Sequence, residues 1–292
     1  MTKPGQDDRG AGDWVTYTPA SALRRPWGLV RAMVEDLGRS RGLAWRLLVR
    51  DLSSQYRRSL LGVFWAFIPP MVTALGLTLA KNSQVLNIGE TDIPYPAYVM
   101  FSMALWQTFV EATNRPMQSV IEAKPMLAKI NFPREALILA GLGQVCFNFA
   151  VKLILILGLF WWFDISASGR AVLAVVPLIH LILLGTGVGL LLTPIGALYE
   201  DVSRGLTLIM AVWLFLTPVI FPTPTTGLFA TLVRLNPVTP LLVTVRELTI
   251  APGIVSSPLG FGWASGLALG LVLVGWLVYR ITMPFVIERM SA

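Results

Sequence analysis

Charge and apolarity divide this chain into blocks. No Asp, Glu, Lys or Arg occurs from Ser59 to Ala80, while Arg58 and Lys81 bound that run on either side. A helix needs about 20 mainly apolar residues to cross a bilayer. Six runs meet or approach that length: 60–80, 95–110, 137–163, 171–198, 206–221 and 261–279. The second and fifth are short, which predicts tilt or extension into their flanks. The third and fourth are long enough to project from the bilayer. The pattern predicts an all-α integral membrane protein with six transmembrane helices per protomer. An even number of crossings places both termini on one side.

The basic residues choose that side. If the termini are cytoplasmic, the inner segments are 1–59, 111–136, 199–205 and 280–292. Of 23 Lys and Arg, only Lys81, Arg170, Arg234 and Arg246 then fall outside, and Lys152 falls within a span. Basic residues accumulate on the cytoplasmic side of a bilayer, so both ends are expected inside. Before the first span, Pro26 and Trp27 open a helical pattern. Val30, Met33, Val34 and Leu37 recur on one face, opposite Arg31, Glu35, Asp36 and Arg39. This N-terminal amphipathic helix suits the membrane interface; packing on the protein itself is the other reading. Near the other end, 217–257 contains Pro218, Pro222, Pro224, Pro237, Pro240 and Pro252, with Pro258 just beyond. The apolar runs between them, 227–233 and 241–245, are too short to span and too apolar for open solvent. They predict short re-entrant helices before the last span, covered by protein or lining a cavity.

Composition agrees. The chain is 55% hydrophobic and 13% charged, against roughly 25% charged in soluble domains. So few charges cannot cover a soluble surface. The net charge of +7 sits at membrane edges, which argues against nucleic acid as partner. The lone cysteine, Cys146, supports neither an internal disulfide nor a metal cluster and is expected as a small packed side chain. Met1 to Ala20 are polar and contain no apolar core segment, so a cytoplasmic tail is expected rather than a signal peptide.

Four segments carry a family resemblance. The first holds Arg50-Asp51, Tyr56, Ser59, Leu61-Gly62, Trp65 and Pro69 at the mouth of the first span. The second is Lys129 with Phe132-Pro133-Arg134-Glu135. The third is Tyr199-Glu200-Asp201-Val202, with Glu200 where a basic residue is usual. The fourth is Asn236-Pro237-Val238-Thr239 followed by Arg246-Glu247. In this order, over about 43–285, they resemble the permease subunits of ABC transporters that export polysaccharides: the O-antigen, capsule and teichoic-acid exporters. The resemblance implies a homodimer that forms a channel for a lipid-linked glycan, driven by two copies of a separate ATPase subunit. This chain holds no G-x-x-x-x-G-K-[ST] phosphate cradle. It is expected to have no cofactor of its own, with ATP and Mg2+ in the partner.

On this reading the chain divides into a flexible cytoplasmic tail (1–25), an amphipathic helix region (26–58), a six-span permease domain (59–285) and a cytoplasmic C-terminus (286–292). The permease domain includes a coupling loop at 111–136 and an outer re-entrant segment at 217–257. Coupling to the ATPase is assigned to Arg115 and to Met117, Val120, Ile121 and Lys124, the last four on a short helix between Pro116 and Pro125 presented to solvent. A short solvent-facing helix can fit a groove on another protein. Glu200, Asp201 and Arg204 form a second inner turn. Tyr56, Phe64, Trp65, Trp213 and Phe215 are assigned to the substrate channel, where flat rings let sugar faces slide. Phe221, Phe229, Leu232, Asn236 and Arg246 are assigned to an outer gate. Trp161, Trp162 and Phe163 suit interfacial anchoring. His180 suits a neutral interhelical contact, and Lys152 either reaches the interface or pairs across the bundle. Gly262, Gly266 and Gly270, four apart, suit close helix packing.

Three other readings compete. A membrane enzyme acting on lipid-linked sugars needs paired carboxylates, a metal site or an activated nucleophile; the inner loops offer Glu111, Glu122, Glu135, Glu200 and Asp201, without clustered histidines. An ABC permease for another amphiphile, a lipid or a drug, differs only in cargo. A secondary transporter would want more buried titratable groups and an internal repeat.

Overall fold

A computed structural model describes residues 26–57, 64–65, 67–85, 88–127, 129, 132–250 and 256–291. The tail at 1–25 and much of the first span's N-terminal half lie outside the described residues, as does the side chain of Tyr56. Among the described residues all regular structure is helical. In chain order the helices are α1 (Pro26–Arg57), α2 (Ile68–Asn82), α3 (Tyr95–Leu127), α4 (Glu135–Trp162), a 3-10 turn (Ala171–Ala174), α5 (Val175–Gly196), α6 (Glu200–Phe215), α7 (Gly227–Leu235), α8 (Val238–Ile250) and α9 (Pro258–Ser291).

The centre of the bundle is α5, packed between α3 and α9 with α8 across its start. Its sequence explains the place. It is apolar all round, and a helix without a polar face belongs inside. It also carries small residues where neighbours come closest. A Cβ on Gly185 would lie 2.7 Å from the Phe109 carbonyl, one on Gly187 would lie 2.8 Å from the α9 backbone at Leu271, and Gly189 meets the Thr113 carbonyl. Gly275 of α9 returns the contact, 2.7 Å from the Gly187 carbonyl. Small residues let helix backbones approach in a membrane, where no hydrophobic drive joins apolar helices.

This replaces one expectation. Gly262, Gly266 and Gly270 make no such contact, since a Cβ on any of them would meet open space. They lie on the outward face of α9, while Ala264 and Ala268 on the opposite face are fully buried. Cys146 is likewise exposed on α4 rather than packed, because Val145 and Gln144 take the inward positions.

Three segments among the described residues are long and apolar enough to cross a membrane: α4, Ala171–Gly196 and Pro258–Arg289. The pair α7–α8, bent by 87°, would make a fourth if it counts as one span. The bend falls at Asn236-Pro237, where proline removes a backbone donor and ends the first helix. The 15-residue α2 and 16-residue α6 are short by themselves. The span expected at 206–221 starts a turn and a half earlier, because Glu200 and Asp201 begin α6 in its first turn, where acidic groups suit the helix dipole.

The coupling loop differs most. Pro116 and Pro125 do not bracket a separate helix; both lie inside α3, which continues for 33 residues. At 1.5 Å per residue that is about 50 Å, well beyond a ~30 Å hydrocarbon core. The last helix also runs on, so 286–291 continues α9.

Candidate transport and coupling sites

At the basic end three helices meet on one guanidinium. Arg280 of α9 donates to Asp36 of α1 at 2.6 Å and to Glu135 of α4 at 2.7 Å. All three side chains are largely buried, and beside them the Tyr279 hydroxyl donates to the Arg134 carbonyl at 3.4 Å. Two charge-assisted bonds on a planar fork fix the α1–α4–α9 geometry. The FPRE segment thus supplies one arm of the clasp. Sequence reasoning missed its partners, since Asp36 stands 244 residues from Arg280.

The helix α1 packs across α4. Met33, Ser40, Ala44 and Leu47 are buried, and a Cβ on Gly143 would lie 2.7 Å from Leu48. Of the face expected at Val30, Met33, Val34 and Leu37, Met33 is buried and Leu37 partly buried, and the side chains of Val30 and Val34 lie outside the described residues. Trp45 and Val49 of the same helix stay exposed.

The residues assigned to coupling separate into two sets. Met117 and Val120 are fully buried, and the Met117 thioether occupies the space a side chain on Gly196 would fill. They lock α3 to the α5–α6 turn and are not presented to solvent. By the helical period 117, 120, 121 and 124 fall within about 100° of one another around α3; the buried Ser119, Ala123 and Leu127 set the packed arc on the Val120 side, and Ile121 stands at its edge. Ile121 and Lys124 are exposed. Arg115 ion-pairs with Glu122 at 3.2 Å and with Asp51 at 3.7 Å. On α6, Arg204 pairs with Glu200 at 3.4 Å on the fully solvated first turns.

Deeper in the basic half, a cavity of about 380 Å3 lies between α3, α4 and α6. Its wall includes Glu111, Asn114, Arg115, Gln118, Gln144 and Asn148. Lys152, almost fully buried, bonds to Glu111 across the bundle, and Asn148 donates to the same carboxylate at 3.3 Å. Lys152 therefore pairs across the bundle rather than reaching the interface. Gln144 donates to Gln55 at 2.8 Å. Its carbonyl oxygen and the Arg115 Nε are buried without partners among the described residues. His180 donates from Nδ1 to the Val176 carbonyl at 2.8 Å, within α5 itself, and only its ring, edge-on to Phe261 of α9, makes an interhelical contact.

The residues assigned to the channel also divide. Phe64, Trp65 and Phe215 are exposed. Phe215 continues an outward apolar stripe of Leu208, Ile209 and Val212 on α6. Trp213 faces the other way. Its ring stands edge-on to Phe109, 5.5 Å between centroids, and its Nε1 donates to Asn236 at 3.0 Å. Within the protomer it is packed, not open.

At the opposite end, the residues assigned to the gate act as ties and as surface. Asn236 accepts from Trp213 and from the Val238 amide, both at 3.0 Å, and donates to the Leu216 carbonyl and to Thr217. One carboxamide thus joins the end of α6 to the α7–α8 corner. The buried Arg246 donates to the Tyr98 hydroxyl, to Ser102 at 3.1 Å and to the Pro218 carbonyl at 2.9 Å; its guanidinium also lies 4.5 Å from the Tyr98 ring centre. Phe221 and Phe229 are tilted together at 5.4 Å. Phe229 and Leu232 are about half exposed, at 44% and 45%, while Ala230 and Val233 of the same helix are buried. A second, larger cavity opens beside Arg246.

The profile of the ABC-2 type transporter family matches residues 43–249. The O-antigen export system permease protein RfbA of Myxococcus xanthus is 23% identical over 223 residues, covering 74% of this chain and 83% of that protein. The protein of the same name from Klebsiella pneumoniae is 20% identical over 206 residues, covering 68% and 76%.

Proposed function

The chain belongs to the ABC-2 type transporter family, and from that membership we propose that it is the channel-forming subunit of an ATP-driven exporter of a lipid-linked polysaccharide of the O-antigen class. The observation that carries this reading is the extended likeness to two O-antigen export permeases, each matched over most of its length. Membrane subunits of this family are transport components, not enzymes. ATP and Mg2+ belong in a separate ATPase subunit, two copies of which serve a homodimer of this chain.

In this arrangement the basic end faces the cytoplasm and the chain crosses six times. The additional crossings are α2 with the residues before it, the apolar first half of α3, and α6 with its C-terminal flank. The exposed outer face of α3 at Ile121 and Lys124, together with Glu200, Asp201 and Arg204, meets the ATPase. Met117, Val120 and the Arg115 ion pairs make that surface rigid. Movement imposed there reaches α5 through the Met117–Gly196 contact. Trp45 and Val49 rest in the membrane interface. Phe64, Trp65 and Phe215 offer ring faces to sugar, with Tyr56 at the channel mouth, and Trp213 supports them from behind. Rings give apolar contact without fixed hydrogen bonds, and weak repeated contacts let a polymer move on.

Loss of the gene tests this directly. Surface polysaccharide should disappear while lipid-linked glycan accumulates in the cytoplasmic leaflet, and the wild-type gene should restore both. Unchanged surface polysaccharide, with altered export of another lipid or drug, would transfer the protein to a different cargo.

A further inference from the structure

The outer cavity has a volume of about 610 Å3, within the ~300–1,000 Å3 of ligand pockets. Its wall combines three elements that are far apart in sequence: Glu90 and Asp92 before α3, Thr239, Arg246 and Glu247 on α8, and Trp263 on α9. Arg234 reaches it from α7. Arg246 is one of the outer ties described above, Arg234 donates to the Thr225 carbonyl and Glu247 accepts from the Ser256 amide, both at 3.0 Å; those ties leave Glu90, Asp92 and Trp263 of the wall unexplained.

Thr239 is the most telling member. It is 5% exposed, and its hydroxyl has no hydrogen-bond partner among the described residues. Other buried threonines return the hydroxyl to the carbonyl four residues back, as Thr113, Thr186, Thr193 and Thr244 do. Thr239 stands in the first turn of α8, and the residue four back lies across the 87° corner. Its hydroxyl oxygen is closed off behind the cavity wall that the residue lines, and a χ1 rotation would exchange it with the methyl and turn it to the cavity. An unmade hydrogen bond at a buried hydroxyl is unfavourable, so a ligand that completes it is stabilised.

The charges narrow the ligand class. Three carboxylates, Glu90, Asp92 and Glu247, face two guanidiniums, Arg234 and Arg246. That balance selects neither a simple anion nor a simple cation. No group of His, Cys, Asp or Glu among the described residues could hold a metal. Carboxylates and guanidiniums together suit a molecule rich in hydroxyls, each of which both donates and accepts. Trp263 is 47% exposed and supplies an apolar ring. At Gly260, between Trp263 and Pro240, a side chain would strike Ser257 Oγ at 2.6 Å, so the wall there is bare.

We propose that this cavity is a sugar-binding site on the outer side of the transporter, taking a pyranose unit of the exported glycan with one ring face on Trp263 and hydroxyls on Thr239, Glu247 and Arg246. The assignment rests on the export reading above for the identity of the sugar. Its position gives it a use. Arg246 also holds the Pro218 carbonyl, and Pro222 and Arg234 of the outer segment line the same cavity. A sugar unit captured here sits against the segment that closes the outer mouth, which favours onward movement over backsliding.

The test uses the complete transporter in nanodiscs and oligosaccharide fragments released by mild acid from the producing cells' own surface polysaccharide. Saturation-transfer NMR should show saturable binding to wild type. Trp263→Leu should weaken it about tenfold, and Trp263→Phe, which keeps a ring, should hold it within about threefold. Thr239→Val, nearly isosteric, should weaken it about fivefold through the lost hydroxyl. Retained assembly with the ATPase confirms that each variant is folded. Equal binding by wild type, Trp263→Leu and Thr239→Val, or no saturable binding to wild type, overturns the assignment. Displacement of the fragments by phosphoethanolamine would give the cavity to a lipid headgroup and overturn it as well. These failures are distinct from failure of the export reading, which shows as intact surface polysaccharide in cells lacking the gene.

Discussion

At single residues, the decisive groups are those whose partners come from remote segments. Arg280 neutralises Asp36 and Glu135 at once. Arg280→Met would leave two largely buried carboxylates without their cation, a change worth about 3–5 kcal/mol. The purified protein should melt at markedly lower temperature, followed by its tryptophan fluorescence in detergent, while Glu135→Gln, which keeps a hydrogen-bonding side chain, should cost clearly less. Equal melting of Arg280→Met and wild type would show that the clasp is not structural. Gly189→Ala makes the complementary point. The added methyl meets the Thr113 carbonyl of α3, and overpacking of this kind costs about 1–3 kcal/mol; Gly266→Ala, in open space, should be neutral in the same assay. Sequence alone assigned Asn236 and Arg246 to an outer gate and did not show the hydrogen bonds they make. Tyr98 lies 148 residues before Arg246, and no local pattern announces such a pair. The glycine reading failed for a related reason. A four-residue repeat such as Gly262, Gly266 and Gly270 defines a stripe, but the stripe's direction depends on where the neighbours stand.

At the scale of elements, the proposed coupling rests on α3. Local rules place helix breaks at proline, and Pro116 and Pro125 therefore suggested a separate short helix. In the structure the neighbours of Pro116 on α5 include Gly189, which gives the ring room, and the helix passes through. Continuity matters mechanically. A rigid rod of about 50 Å links the exposed surface at Ile121 and Lys124 to Tyr98 and Ser102 at the far end, where Arg246 holds the outer segment. Position on the rod then decides what a substitution does. Ile121→Asp with Lys124→Glu should leave expression and thermal stability near wild type and abolish glycan-stimulated ATP hydrolysis by the assembled transporter. Met117→Asp should act otherwise. A carboxylate buried against Gly196 has no partner, so the protein should fail to accumulate in the membrane. If the exposed pair leaves coupling intact while stability is unchanged, the ATPase docks elsewhere, with the solvated turn at Glu200, Asp201 and Arg204 as the remaining candidate. The long apolar runs that became α4, α5 and α9 were legible because about twenty mainly apolar residues in a row leave few alternatives. The bounds of α6 were less so, since Glu200 and Asp201 read as a loop until the helix start is seen to use them.

At the scale of the whole molecule, the protomer leaves too much apolar surface to stand alone in water. Met71, Val72, Leu75 and Leu79 of α2 and Leu208, Ile209, Val212 and Phe215 of α6 all face outward. Lipid covers part of that surface, and a second copy of the chain is proposed to cover the rest; native mass measurement in mild detergent should find two copies of this chain with two ATPase subunits. The outer segment follows the same logic on a smaller scale. One side of α7 is buried through Ala230 and Val233, and the other shows Leu228, Phe229, Leu232 and Leu235. Such a face is unstable in bulk water, so at rest it should lie against the membrane or the partner copy over the channel mouth. Because the segment hangs from Asn236 and Arg246, movement at those ties can lift it. Cysteines at Phe229 and Leu232 should therefore react slowly with a membrane-impermeant maleimide at rest and faster while ATP is hydrolysed with glycan present. The background must be Cys146→Ser, because Cys146 is itself exposed on α4. A cysteine at Val233 is the internal control and should stay slow throughout, since that position is buried within the protomer itself. Fast labelling at Phe229 and Leu232 in the resting transporter, unchanged by turnover, would mean that the face is permanently open, and the segment would then be a surface feature with no part in closing the channel.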